Sequence, residues 1–135
     1  IALQVTVETA NMDLHSGVKG GSVQNANHAL IGLLSTLRDP KTQKIAIPGF
    51  YDDVAEILPE DKADIAKYPF DSDQERQNLG VLGFTGEQGF NALEQRWYRP
   101  TLEVVGMWGG FTGWSFALCA CRKLLSISFD ALCGV

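Results

Sequence analysis

Basic residues and cysteines are scarce in this chain of 135 residues, and each scarcity excludes a class of protein. Eleven Lys and Arg stand against 16 Asp and Glu, giving a net charge of −5, so no nucleic-acid partner is expected. The three cysteines all lie between positions 119 and 133, which is typical neither of a disulfide framework nor of a secreted protein. No stretch is long and apolar enough for a membrane helix, which needs ~20 such residues, so no membrane partner is expected.

Potential metal ligands are also few. A structural zinc site needs four nitrogen or sulfur ligands at recognisable spacing, and the sequence has two His and a single Cys-x-Cys, Cys119 and Cys121. We therefore expect no metal to be held by this chain, with a redox or metal module on Cys119 and Cys121 as a weaker alternative. The start has neither Met nor a basic leader, which predicts a fragment of a longer, cytoplasmic protein.

Periodic apolar residues predict strands at both ends of a helical middle. Alternation predicts strands over 2–9 and 101–105. After a loop over 11–21, Ser22 is expected to cap a helix. The apolar stripe of that helix is Val23, Ala26, Leu30, Leu33, Leu34 and Leu37. Shorter elements are predicted between: a strand over 44–47, helices over 51–58, 60–68 and 90–97, and a turn over 75–79. Acids outnumber bases nine to three over residues 50–76, which indicates a solvated face.

Two side chains are candidates for function. His15 follows the first strand and enters a glycine loop, and loops on a rigid scaffold often carry functional side chains. The alternative is a turn histidine bonded to nearby backbone. Arg99 precedes the second strand, where its guanidinium can form a fork for a carboxylate; the alternative is a surface or helix-end arginine. The glycines near both strands are interpreted as tight-turn residues.

Three segments together resemble a known family. They are residues 13–25 (Asp-Leu-His-Ser-Gly-Val-Lys-Gly-Gly-Ser-Val-Gln-Asn), 47–54 (Ile-Pro-Gly-Phe-Tyr-Asp-Asp-Val) and 99–106 (Arg-Pro-Thr-Leu-Glu-Val-Val-Gly). In this order and spacing they resemble the lid, or dimerisation, domain of the dizinc aminoacyl-dipeptidases. That family includes carnosine dipeptidases, aminoacylases, glutamate carboxypeptidases and succinyl-diaminopimelate desuccinylases. The middle segment resembles the carnosinase-like branch.

The resemblance implies a fold and a division of labour. Strands that flank a helical middle predict an α+β fold class, with helices on one face of a sheet and a helical insertion over 39–95. With the resemblance, we expect the sheet to be ferredoxin-like and antiparallel. A separate catalytic domain would hold two zinc ions, and the lid would carry no metal ligand. His15 would reach the partner subunit's active site in a homodimer and stabilise the oxyanion, while Arg99 would bind the terminal carboxylate of a dipeptide or acyl-amino acid. This chain alone would then be inactive. The alternative is a non-catalytic dimerisation module.

The resemblance covers about residues 1–113 and ends there. We interpret residues 1–113 as the lid domain and 114–135 as an atypical tail. The abrupt change, with every cysteine beyond it, suggests a shifted reading frame in the coding DNA. The last strand of the sheet is accordingly expected to be missing or altered.

Overall fold

The computed structural model describes residues 2–110 and, for residues 125–132, the backbone alone. The chain divides into two compact units. We name them the sheet unit, which contains the described residues of Ile1–Leu37 and Leu102–Ala131, and the insertion unit, which contains Arg38–Thr101 and Leu132. The division into a lid domain over 1–113, with an insertion over 39–95, and a tail over 114–135 stays a prediction.

Three strands form the sheet: β1 (Ala2–Val7), β2 (Thr101–Trp108) and β3 (Leu125–Leu132). β3 lies between β1 and β2. β1 and β3 run antiparallel, with Ala2 opposite Asp130 and Val7 opposite Leu125. The sequence analysis expected the last strand to be missing or altered, and the structure has a strand there, inside the segment interpreted as an atypical tail. The three cysteines lie outside the described residues.

Helix α2 (Ala26–Thr36) supplies the core of the sheet unit. Leu30 is fully buried, with 0% of its surface exposed. The partly buried apolar residues packed against it are Val5, Val7, Leu34, Leu37 and Leu102. Leu33 was predicted in the same stripe, but it is 41% exposed. At 100° per residue Leu33 lies about 60° from Leu30 around the helix, whereas Leu34 lies about 40° away on the other side.

Asn25 caps the start of α2. The sequence analysis predicted Ser22 for this position, and that prediction is wrong. The Asn25 side-chain oxygen accepts from the backbone N–H groups of Asn27 (2.8 Å) and His28 (3.4 Å). Ser22 instead donates its hydroxyl proton to the carbonyl of Lys19, at 2.8 Å. This bond ties Ser22 to the end of the short helix α1 (Ser16–Lys19), which lies within the segment predicted to be a loop.

The insertion unit contains three helices: α3 (Pro59–Lys67), α4 (Ser72–Leu79) and α5 (Ala92–Tyr98). α3 contacts α5, and Ile45, Ile65 and Leu93 are buried. The helix predicted over 51–58 is wrong: this stretch starts with turns and continues without regular structure. The strand predicted over 44–47 is reduced to one bridge, Arg38 to Ile45. Gly49, with φ of +77°, turns the chain directly after Pro48. This turn lies between the stretch predicted as a strand and the stretch predicted as a helix, and it interrupts regular structure between them.

The mixed helix-and-strand fold is confirmed, with α2 packed on the sheet. The finer description as a ferredoxin-like sheet stays a prediction, since the described part of the chain contributes three strands. The shifted reading frame also stays a prediction.

Candidate functional site

His15 is an exposed side chain at the N-terminal end of α1. Its backbone is extended, and its carbonyl accepts from the N–H groups of Val18 (3.1 Å) and Lys19 (2.9 Å). Its ring atom Nδ1 accepts from the N–H of Gly17 at 3.0 Å. This geometry matches the alternative prediction, a turn histidine bonded to nearby backbone, and a functional role for His15 stays a prediction.

The hydrogen bond from Gly17 determines which ring nitrogen carries the proton. A neutral imidazole has one N–H donor and one acceptor. Because Nδ1 accepts, the proton of the neutral ring resides on Nε2, which is then a donor. A neutral donor of this kind is chemically suited to an oxygen that gains negative charge during a reaction.

An open cleft of about 570 Å³ lies beside this loop. Its lining combines hydroxyl, amide and imidazole groups, contributed by Ser16, Ser22, Gln24, Asn25 and His28. His28 is exposed in the first turn of α2, as the sequence predicts. The cleft therefore offers hydrogen-bonding groups to a polar ligand.

Arg99 forms an ion pair within the insertion unit. Its Nη2 donates to both carboxylate oxygens of Glu87, at 2.9 and 3.0 Å, and its Nε donates to one of them at 3.3 Å. The side chains of Arg99 and Glu87 are only 11% and 10% exposed. The guanidinium therefore binds a carboxylate of the chain itself, and binding of a substrate carboxylate stays a prediction.

Two aromatic rings complete the surroundings of Arg99. Its guanidinium carbon lies 4.5 Å from the ring centre of Phe90 and 5.0 Å from that of Tyr51. The Tyr51 hydroxyl oxygen accepts from the N–H of Ile45 at 2.9 Å. Burial, more than the nearby charge of Glu87, raises the pKa of the Tyr51 hydroxyl above its ordinary value. The sequence analysis missed Glu87, Tyr51 and Phe90 as partners of Arg99.

The two predicted residues belong to different units, His15 to the sheet unit and Arg99 to the insertion unit. Among residues 2–110, the structure contains no group of three or more His, Cys, Asp or Glu that could hold a metal ion. The described part of the chain also has no helix of the length and apolarity that crossing a membrane requires. The described residues do not fit a zinc site, so no chemical step is assigned to a metal held by them.

Curated relatives are dipeptidases several times longer than this chain. It is 34% identical over 109 residues to the Cys-Gly metallodipeptidase dug1 of Schizosaccharomyces pombe, which covers 81% of this chain and 23% of the relative. It is 30% identical over 107 residues to the Beta-Ala-His dipeptidase of Rattus norvegicus, covering 79% of this chain and 22% of the relative. The chain thus spans about a quarter of the length of the relatives that it matches.

Solved structures of similar proteins agree. Human carnosine dipeptidase 1 matches with a TM-score of 0.79 and 25% identity, over 98% of this chain and 28% of that one. The dipeptidase Dug1p of Saccharomyces cerevisiae matches with a TM-score of 0.77 and 27% identity, over 98% and 27%. A family model described as the peptidase dimerisation domain matches residues 2–125. The chain therefore belongs to the peptidase dimerisation domain family, as its three motifs indicated.

Proposed function

We propose that this chain is the lid and dimerisation domain of a metal-dependent dipeptidase or related amidohydrolase, and that His15 is its catalytic residue. His15 donates a hydrogen bond from Nε2 to the oxyanion formed at the scissile carbonyl in the partner subunit of a homodimer. The observation that carries this role is the bond from Gly17 N–H to His15 Nδ1, which leaves Nε2 as the donor on an exposed ring. Similarity to metallodipeptidases supplies the reaction class.

The metal chemistry belongs to a catalytic domain outside this chain. Two zinc ions in that domain would activate a water and polarise the carbonyl of a dipeptide or acyl-amino acid. The described residues offer no ligand group for these ions, so the contribution proposed for them is binding and charge stabilisation. We expect the isolated chain to show no peptidase activity with added zinc, and measurable turnover would contradict this proposal.

Arg99 has a second, substrate-binding role in the proposal. Glu87 occupies the Nε and Nη2 edge of its guanidinium. A substrate carboxylate would therefore bind through Nη1 or displace Glu87. Replacing Arg99 by Ala in the full-length enzyme should weaken substrates with a free carboxylate more than their amidated counterparts. Equal losses on both would remove this role and leave Arg99 as a structural residue.

The central test is His15→Ala in the full-length enzyme that contains this domain. Loss of one oxyanion donor lowers kcat by roughly 10²–10³-fold. Zinc content and dimer mass should stay unchanged, because the proposal gives His15 neither a metal nor a structural role. Gly32→Ala is the control, since a Cβ on Gly32 meets nothing within 4 Å, and it should leave kcat within about twofold. Unchanged turnover in His15→Ala would overturn the proposal.

A non-catalytic dimerisation module is the alternative function. It is favoured by half-exposed apolar side chains on strand β2, namely Val104, Val105, Met107 and Trp108. Such side chains on an exposed strand suit a protein interface. Under this alternative the full-length His15→Ala enzyme keeps full turnover, whereas Val105→Glu shifts the sedimentation coefficient from dimer to monomer. Under the leading proposal both variants lose activity.

A further inference from the structure

We infer that Gly17 is the positioning residue for His15, holding its imidazole in the Nε2–H form. This inference rests on the proposed function, in which His15 donates from Nε2. The Gly17 N–H to His15 Nδ1 distance is 3.0 Å. The same turn also holds the backbone of His15, through bonds from Val18 and Lys19 to its carbonyl. Ring and backbone are thus anchored to one short helix.

The imidazole of His15, and not the backbone conformation of Gly17, explains why this position has no side chain. Gly17 is a residue of α1 and lies outside the set of glycines with positive φ, so its conformation does not require glycine. Alanine is the better helix former at such a position. A Cβ placed on Gly17 would, however, lie 2.8 Å from Cε1 and 3.1 Å from Nδ1 of His15. A methyl group here would force the imidazole to move and break its bond to the amide.

This arrangement gives Gly17 a specific effect on catalysis. A ring that is free to rotate and to change tautomer presents its Nε2–H donor only part of the time. Holding it in place before substrate arrives means that no ordering is required when the oxyanion forms. The effect belongs to the transition state, so it should appear in kcat and not in KM.

The first experiment measures the tautomer directly on this chain. The ¹⁵N chemical shifts of the His15 ring nitrogens, recorded at alkaline pH, should be well separated, with Nδ1 unprotonated and Nε2 protonated. In Gly17→Ala the two shifts should move toward each other as both tautomers become populated. His28, the other histidine, is the internal reference and should not change. The matched control is Gly32→Ala, because a Cβ on Gly32 meets nothing within 4 Å.

The second experiment separates this inference from the proposed function. In the full-length enzyme, Gly17→Ala should lower kcat about tenfold, the usual effect of one hydrogen bond, with KM within about twofold and Gly32→Ala unchanged. If His15→Ala abolishes activity while Gly17→Ala changes neither the shifts nor kcat, the inference about Gly17 is wrong and the proposed function stands. If the shifts move in Gly17→Ala but His15→Ala keeps full turnover, Gly17 positions the ring and the proposed function is wrong.

Discussion

The sheet unit and the insertion unit each hold one of the residues predicted to function, and they hold them in opposite ways. His15 is exposed, and its ring is fixed by one backbone bond that leaves Nε2 as a donor. Arg99 is 11% exposed and makes three hydrogen bonds to Glu87 between two aromatic rings. We propose that the first meets a ligand outside this chain, and the second already binds a carboxylate within it.

This difference teaches that residue type alone does not reveal whether a candidate side chain is already paired within the chain. A guanidinium near a strand and an imidazole in a loop are both reasonable candidates from the sequence. Removing a side chain whose partner is an external ligand lowers activity and changes stability little. Removing one half of a buried ion pair costs stability, because its partner is left charged and desolvated. Stability measurements on this chain therefore test the comparison without any substrate.

The largest effect is expected at the core of the sheet unit. Leu30→Ala should lower the free energy of unfolding by about 3–4 kcal/mol, as truncation of a fully buried leucine generally does. Leu33→Ala is the matched control in the same helix, because its side chain is 41% exposed, and should cost less than about 1 kcal/mol. Urea unfolding measures both. Similar losses for both leucines would contradict the packing of α2 on the sheet.

The next effect distinguishes the two functional candidates. Arg99→Ala should cost about 3 kcal/mol, since it leaves the Glu87 carboxylate unpaired in a site that is 10% exposed. His15→Ala should stay within about 0.5 kcal/mol, as most exposed substitutions do. Urea unfolding of the chain compares them under identical conditions. If His15→Ala proved the more destabilising of the two, the contrast between the units would be reversed.

The double variant Arg99→Met with Glu87→Leu controls for lost packing around the two rings. Apolar replacement of a buried ion pair is often neutral or stabilising, so this variant should be more stable than Arg99→Ala alone. A double variant that is no more stable than the single one would show that contacts with Tyr51 and Phe90, and not the charge of Glu87, dominate the effect.

A smaller effect is expected at the helix N-termini of the two units. The Asn91 side chain accepts from Leu93 N–H (3.0 Å) and Glu94 N–H (2.9 Å), and the Glu94 carboxylate accepts from Asn91 N–H (2.8 Å). Replacing Asn91 by Ala should cost about 1 kcal/mol or slightly more, and Asn25→Ala somewhat less, because Asn25 lacks the reciprocal bond in α2. Thermal unfolding measures both, with Asn91→Asp as the control that keeps the acceptor. A larger loss of stability in Asn25→Ala than in Asn91→Ala would show that the reciprocal bond from Asn91 N–H to Glu94 adds no stability.

Local patterns predicted the elements whose periodicity is strong. The strand at β1, the helices at α2 and α5 and the strand at β2 follow from alternation or helical spacing, and all are present. α1 was missed because a four-residue helix has no periodicity to detect; the carbonyl of His15 starts it. The helix predicted over 51–58 failed because the turn at Gly49 and the Tyr51 hydroxyl bond to Ile45 place this stretch by tertiary contacts.

The candidate residues were predictable, but their partners were not. His15 stands out by its place in a glycine loop, and the His-x-Gly spacing at a helix start is a signal for the Gly17 bond that could have been used. Glu87 pairs with Arg99 across 12 positions of the chain. No local sequence pattern distinguishes Glu87 from the other acidic residues, because its pairing with Arg99 depends on the path of the loop before α5.

The smallest effect is expected at Asp39, at the start of the insertion unit. Its Oδ1 accepts from Thr42 N–H (2.7 Å), the Thr42 hydroxyl (2.9 Å) and Lys41 N–H (2.9 Å). These bonds, the one from Thr42 N–H above all, lower the pKa of Asp39 below its ordinary value of 3.8. Because the folded pKa is the lower one, the stabilisation is present above that ordinary value and is lost as the pH falls through it toward the folded pKa.

Asp39→Asn isolates the charge, since the amide oxygen keeps an acceptor for the same donors. At neutral pH the variant should be slightly less stable than the parent chain, and the two should converge below about pH 3.8. Asp53→Asn, which removes an exposed carboxylate from the neighbouring turn, corrects for the general loss of one negative charge. Asp39 is exposed, so its effect must be read from the pH dependence of the difference between the variants. A difference that stays constant from pH 7 down to about pH 2.5 would contradict the lowered pKa.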